Sequence, residues 1–275
     1  MAPKIKISSK RIGLAIGRFF LNTEDLHYGY WPKGKTATIQ NFVEAQGAHS
    51  KLIMDHIPDG TERILDVGSG SGSLALKLIN KGFQVDCVIP SEFLAEQVQA
   101  KLGDRSTIHI CGFESVADSE KYDLILFSES FQYVKLGKSL EKITNMLNPG
   151  GYLLICDFFK RDGLGKSPMG GGHSWQVFRD KIDAYPLCLI SDQDITEETA
   201  PTIDLMAKFN TDVVTPIAEM SGEYLIDHYP RLSKLFRWKF RKRLDKIHNI
   251  YLSGAVNGDS FKRFKKYHLL VYERR

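Results

Sequence analysis

The stretch "ILDVGSGSGSLAL", residues 64–76, constrains the fold of this chain more than any other. A short apolar run of strand type delivers Asp66, glycines then alternate at Gly68, Gly70 and Gly72, and a helical pattern starts directly. Glycines at such a turn let the backbone take positive φ and come close to a ligand. A strand, a glycine loop and a helix in that order open a parallel sheet wound with crossover helices. The pattern continues on both sides. "IQNFVEAQGAHSKLIMDHI" has apolar residues at helical spacing before Pro58-Asp59-Gly60 stops it. "RILDV", "QVDCVI", "IHICGF", "YDLILF" and "YLLICDFF" read as strands. "SLALKLINKG", "SEFLAEQVQAKLG" and "SLEKITNMLNPGG" read as the helices between them, with Ser91 placed to cap the second.

The expected fold class is therefore α/β, with a doubly wound, mostly parallel, seven-stranded Rossmann-like sheet. Residues 1–38 form an N-terminal helical arm, residues 39–160 the core, and residues 267–275 the final strand. Between them, residues 161–266 hold a Gly-rich loop, a sixth strand in "PLCLISDQDIT" and a helical cap inserted before the last strand. An insertion of about 60 residues of that kind usually roofs a site.

Composition fits a globular protein, with 43% hydrophobic and 25% charged residues. The four cysteines, Cys87, Cys111, Cys156 and Cys188, have neither metal-ligand nor C-x-x-C spacing. They read as reduced thiols of a cytoplasmic protein, and no metal site is expected. No run of roughly 18 apolar residues occurs, so no transmembrane segment is expected. The net charge of +4 is unevenly spread: residues 231–275 carry 14 Lys/Arg against Asp245, Asp259 and Glu273. That end of the chain projects a positive field.

The glycine spacing selects among nucleotide-binding chemistries. A nicotinamide fingerprint, G-x-G-x-x-G, needs a third glycine where Ser73 stands, and no G-K-[ST] follows to make a phosphate loop. A D-x-G-x-G-x-G remains, whose acid suits a cofactor bearing an ammonium group and repels a pyrophosphate. The motif resembles motif I of the class I S-adenosylmethionine-dependent methyltransferases, small-molecule branch, and the resemblance spans roughly residues 42–160. It implies S-adenosyl-L-methionine as cofactor, with Asp66, Gly68, Ser69 and Gly70 along its methionine part. It also implies that Ser128, Glu129 and Ser130, after the fourth strand, line the sulfonium side.

Two positions depart from the family pattern. The second strand ends on Ile89, where the family has a ribose-binding acid. Asp86 lies three residues back, about 10 Å away along a strand, so Ser91 or Glu92 is expected to reach the ribose. The third strand's end, usually Gly-Asp, reads Gly112-Phe113-Glu114, which sets Phe113 against adenine with Glu114 beside it.

"LHYGYW" in the arm supplies aromatic rings suited to a sulfonium, and Tyr28 is the first choice for a lid residue. Methyl transfer needs a base only if the acceptor has a proton to lose. The candidates are Glu129, Tyr133 and His173 of "GGGHSW", with His27 behind them. The basic helical pattern over residues 229–252 reads as a docking surface for an acidic partner: an acyl carrier protein, an anionic membrane surface or a phosphorylated substrate. Nucleic acid is not the expected substrate: "SESFQY" lacks both the [DNS]-P-P-[YF] of amino-methylating enzymes and the Pro-Cys of cytosine-C5 enzymes. The expected activity is methyl transfer to O, N or C of a small-molecule, carrier-bound or lipid-like acceptor. The alternative is a non-catalytic module that binds the adenosyl cofactor or a carrier protein.

Overall fold

The computed structural model describes residues 9–247 and 254–275. Five parallel strands form the heart of the sheet: β1 (Arg63–Val67), β2 (Gln84–Val88), β3 (Ile108–His109), β4 (Tyr122–Ser128) and β5 (Leu147–Lys160). Strands β6 (Leu187–Asp194) and β7 (Lys265–Arg274) run antiparallel to their neighbours, and the seven lie in the order β3-β2-β1-β4-β5-β7-β6. The order reverses between β1 and β4. In open α/β sheets ligands bind beyond the carboxyl ends of the strands at such a reversal.

Helices cover both faces, which is why β1, β2 and β4 are buried almost without alternation. One face packs Ile53 of α2 (Phe42–Asp55), Leu74 and Leu78 of α3 (Ser73–Asn80), and Leu94 and Val98 of α4 (Glu92–Leu102) against the sheet. The other packs Leu140 and Ile143 of α5 (Leu136–Met146) with Phe178 and Ile182 of α6 (Trp175–Ile182). The N-terminal helix α1 (Ser9–Ile16) packs its Leu14 into the first of these cores.

The helical insertion between the last two strands is present. It comprises Thr196–Phe209, Thr215–His228, Pro230–Ile247 and Gly258–Phe264, here α7, α8, α9 and α10. Helices α7 and α10 close against the sheet through Ile203 and Phe261, whereas α8 contributes no buried residue. The final strand starts at Lys265, two residues before its expected start.

The sequence reading overestimated one strand. "IHICGF" forms only the two residues of β3, followed by a one-turn helix at Phe113–Ser115. β3 is an edge strand paired to β2 alone, and short edges limit unwanted pairing. The four cysteines are free, and among the described residues no cluster could hold a metal ion. No described helix is long and apolar enough to cross a membrane.

Candidate functional site

A cavity of about 570 Å³ opens at the β1/β4 reversal. Asp66, Gly68, Ser69 and Gly70 form one wall, Ser128, Glu129, Gln132 and Tyr133 a second, and Asp25, Leu26, His27 and Tyr28 of the arm a third. Phe158, Met169, Gly170 and Gly171 complete it. Residues far apart in sequence thus meet because β1, β4 and β5 are adjacent in the sheet.

The glycine loop does what its sequence demands. Gly68 has φ +82° and Gly70 has φ +59°. A Cβ on Gly68 would lie 2.5 Å from the Cβ of Ser130, so the loop and the turn after β4 touch through bare backbone. Asp66 is 1% exposed, and burial pushes its carboxyl up to about 7. One of its oxygens, Oδ2, has no hydrogen-bond partner. A buried carboxylate oxygen left unpaired is costly, and an ammonium group is its natural complement. The residues present therefore fit the amino group of an amino-acid-bearing cofactor.

Glu129 also sits in a strained position, with φ +53°. Its Oε1 accepts from the backbone N–H of Tyr28 at 2.7 Å and from the Tyr267 hydroxyl at 2.9 Å. Burial raises its carboxyl to about 8, and the nearby Asp157 adds to the effect. Asp157 is 1% exposed and also pushed up by burial, to about 7. It accepts from the backbone N–H of Gln132 at 3.0 Å and from its own neighbour Phe158 at 2.8 Å. Behind Tyr267, His49 Nε2 lies 3.0 Å from the hydroxyl, and the His49 ring stacks on His27 with centroids 4.6 Å apart. Burial holds both histidines below their usual range. The polar chain His49–Tyr267–Glu129 thus fixes one carboxyl at the cavity wall.

The arm is held over the site by many bonds. Gln46 Nε2 donates to the carbonyls of Asp25 and His27, Ser71 donates to Glu24, and Lys77 pairs with Asp25 at 2.8 Å. Farther along, the backbone of Trp31 donates to Glu198, and its indole N–H donates to Thr202 on α7. Tyr28 lies against Phe158, Phe261 and Tyr267, and burial raises its hydroxyl far above the usual value.

Of the residues expected from sequence, Tyr28, Asp66, Gly68, Ser69, Gly70, Ser128, Glu129 and Tyr133 come together at the cavity. Tyr133 stands at its rim, 73% exposed. Five others are placed elsewhere. Ser91 and Glu92 begin α4, Glu92 exposed, and from that end of the helix Leu94 reaches the cavity wall. Phe113 is buried edge-on to Phe127, and Glu114 accepts from the backbone of Lys135. His173 lies against the ring of Phe131 with its Nε2 donating to the Phe131 carbonyl. The glycines before it, Gly170 and Gly171, reach the cavity in its place. Asp86, set aside on distance, is taken up by Arg63, Tyr122 and the backbone of Thr107. Ile89 is buried in the core.

Sequence reading missed Asp157, Tyr267 and Gln132. Asp157 carried a signal: a lone acid inside the apolar run "YLLICDFF" must be partnered or functional. Tyr267 is 138 residues from Glu129, and nothing local announces the pairing.

Comparison with known proteins bears on the family and the fold. Residues 39–197 match the family described as a methyltransferase domain. A Mycobacterium tuberculosis protein described only as an uncharacterized methyltransferase is 26% identical over 97 residues, 35% of this chain and 40% of that one. The malonyl-[acyl-carrier protein] O-methyltransferase 2 of Ilyobacter polytropus is 29% identical over 102 residues, 35% of this chain and 39% of its own. The matches thus span about two fifths of these relatives' length. Among solved structures, the geranyl diphosphate C-methyltransferase of Streptomyces coelicolor A3(2) superposes with a TM-score of 0.66 at 15% identity, covering 96% of this chain and 92% of that one.

Proposed function

Because this chain belongs to the class I S-adenosylmethionine-dependent methyltransferases, we propose that it transfers a methyl group to an O, N or C atom of a small, largely apolar acceptor. The observation that carries the reading is Asp66, a buried carboxyl with one unpaired oxygen at the wall of a 570 Å³ cavity beside a glycine loop of positive φ. Asp66 would hold the cofactor's amino group, and Gly68, Ser69 and Gly70 would let its methionine part lie against bare backbone. The S. coelicolor enzyme, whose fold this chain shares, was solved with S-adenosyl-L-homocysteine, which supports the same cofactor here. When bound, S-adenosylmethionine supplies an electrophilic methyl group on a sulfonium.

The chain's own part is alignment, exclusion of water and management of a proton. Tyr28, Phe158 and Met169 give the remaining wall an apolar surface, and the arm closes the site from above. Glu129 is the base for an acceptor that must lose a proton. Its raised pKa makes it a stronger base once ionised, and Tyr267 and the Tyr28 amide fix its orientation. Tyr133, at the rim, borders the acceptor's entry. His173 is not needed as a base in this arrangement.

A carrier-bound acyl group is a second acceptor class, supported by the Ilyobacter relative, which by its name acts on a malonyl-carrier protein. The test is to incubate the chain with methyl-labelled S-adenosylmethionine and panels of free acids, phenols, amines, prenyl compounds and acyl-carrier conjugates. Turnover to S-adenosylhomocysteine that requires an acceptor supports the reading. Tight cofactor binding with no turnover on any panel favours a binding module.

A further inference from the structure

We propose that the α8–α9 hairpin is a docking element for an anionic lipid bilayer surface. The proposal is independent of the methyl-transfer reading, because the hairpin contributes no residue to the cavity described above. No residue of α8 is buried, and none of the described side chains of α9 is either. Two helices whose described side chains are all unburied do not persist through packing on their own domain, since most helical stability comes from an amphipathic face set against something else.

Two features identify the chemistry of the missing surface. First, the helices enclose an apolar groove of about 790 Å³ whose lining includes Leu225, Tyr229, Leu232, Leu235 and Phe236. Among the described residues, its charged lining is Arg237 and Lys239, both basic. Second, α9 carries eight Lys/Arg against the single acid Asp245. The acids of the hairpin's other helix, Glu219, Glu223 and Asp227, do not line the groove. Trp238 stands 76% exposed among the basic residues. Apolar side chains that need hydrocarbon, an indole and a ring of cations on one helix match the layering of a bilayer interface: acyl chains below, anionic headgroups above.

Other occupants fit less well. A second copy of this chain would bring two strongly basic α9 helices together. An acidic carrier protein would satisfy the cations but offer a polar surface to the groove. Docking by the hairpin would place the enzyme where apolar acceptors partition.

The test is co-sedimentation of the full chain with vesicles of phosphatidylcholine alone and with about 30% phosphatidylglycerol, at low and high salt. The expected result is binding to the anionic vesicles at least tenfold tighter than to the neutral ones, weakened about tenfold by salt. A Leu235→Asp/Phe236→Asp variant and an Arg241→Glu/Lys242→Glu variant should each lose a further tenfold or more. All four side chains are exposed, so both variants should keep the wild-type melting temperature. Three results would overturn the proposal: vesicle binding that neither variant alters, a dimer in analytical ultracentrifugation that the apolar variant dissociates without any vesicle binding, or salt-dependent binding to an acidic carrier protein alone.

Discussion

Replacing Asp66 by Asn should stabilise the free protein and weaken its hold on the cofactor. In the fold the carboxyl is pushed by burial from 3.8 to about 7, a shift of about three pH units. Each unit is worth about 1.4 kcal/mol, so the upper bound on the charge penalty is about 4 kcal/mol. The sign follows from linkage. Below about pH 4 both folded and unfolded chains hold the proton, and this carboxyl costs nothing extra. As pH rises from 4 toward 7 the unfolded chain releases the proton and the folded chain keeps it, so stability falls; above 7 the loss is complete. An amide cannot ionise, so the advantage of Asp66→Asn over wild type should grow by a few kcal/mol across that window. Burying the extra N–H groups of Asn gives back about 1–3 kcal/mol at every pH.

Saturation with S-adenosylmethionine should reverse the ranking. A ligand at a hundredfold excess over Kd stabilises by about 2.7 kcal/mol. Loss of a charge-assisted bond worth about 1.5–3 kcal/mol cuts that gain to roughly 0.3–1.3 kcal/mol in the variant. Thermal or urea melts of both proteins from pH 4 to 8.5, with and without cofactor, read all of this. A stability difference that does not change with pH would refute the buried-carboxyl reasoning. Equal cofactor-induced shifts in the two proteins would refute the role of Asp66.

Gly68→Ala forces a Cβ to within 2.5 Å of Ser130 at φ +82°, and should lower stability by about 2 kcal/mol or more, read as a drop in melting temperature. For an acceptor that loses a proton, kcat/KM should rise with pH and level off above about 8 as Glu129 ionises. Glu129→Gln should lower the plateau by about two to four orders of magnitude and remove that limb. Tyr267→Phe removes the hydroxyl that donates to Glu129 and should move the limb toward higher pH, with a stability loss of about 1–3 kcal/mol. Phe178→Ala opens a void in the fully buried aromatic cluster around Phe131 and Phe159 and should cost about 3–5 kcal/mol, with the cofactor shift per unit ligand unchanged.

How much of this could be read from sequence depends on the range of the forces involved. The glycine loop was legible because its conformational demand is local: positive φ at Gly68 and Gly70 is written into those residues. The order of strands and helices was legible because burial on both faces gives β1, β2 and β4 continuous apolar runs. The length of β3 was not, because "IHICGF" has strand-like residues but only one neighbour to pair with. The ribose and adenine assignments rested on positions at the ends of β2 and β3. There the protein turns Phe113 into the core and engages Glu114 with the backbone of Lys135. His173 looked mobile after its glycines, yet a carbonyl and an aromatic ring hold it outside the cavity. The Glu129–Tyr267–His49 chain was invisible because it joins α2, the turn after β4 and the last strand. Only the fold brings those three together.

The most direct test of the account is a thermal-shift panel of the full chain with S-adenosylmethionine, S-adenosylhomocysteine, NAD and NADP. A rise of several degrees is expected with the two adenosyl-sulfur ligands and none with the dinucleotides. A shift with NAD or NADP alone, or no shift with any of the four, would contradict it.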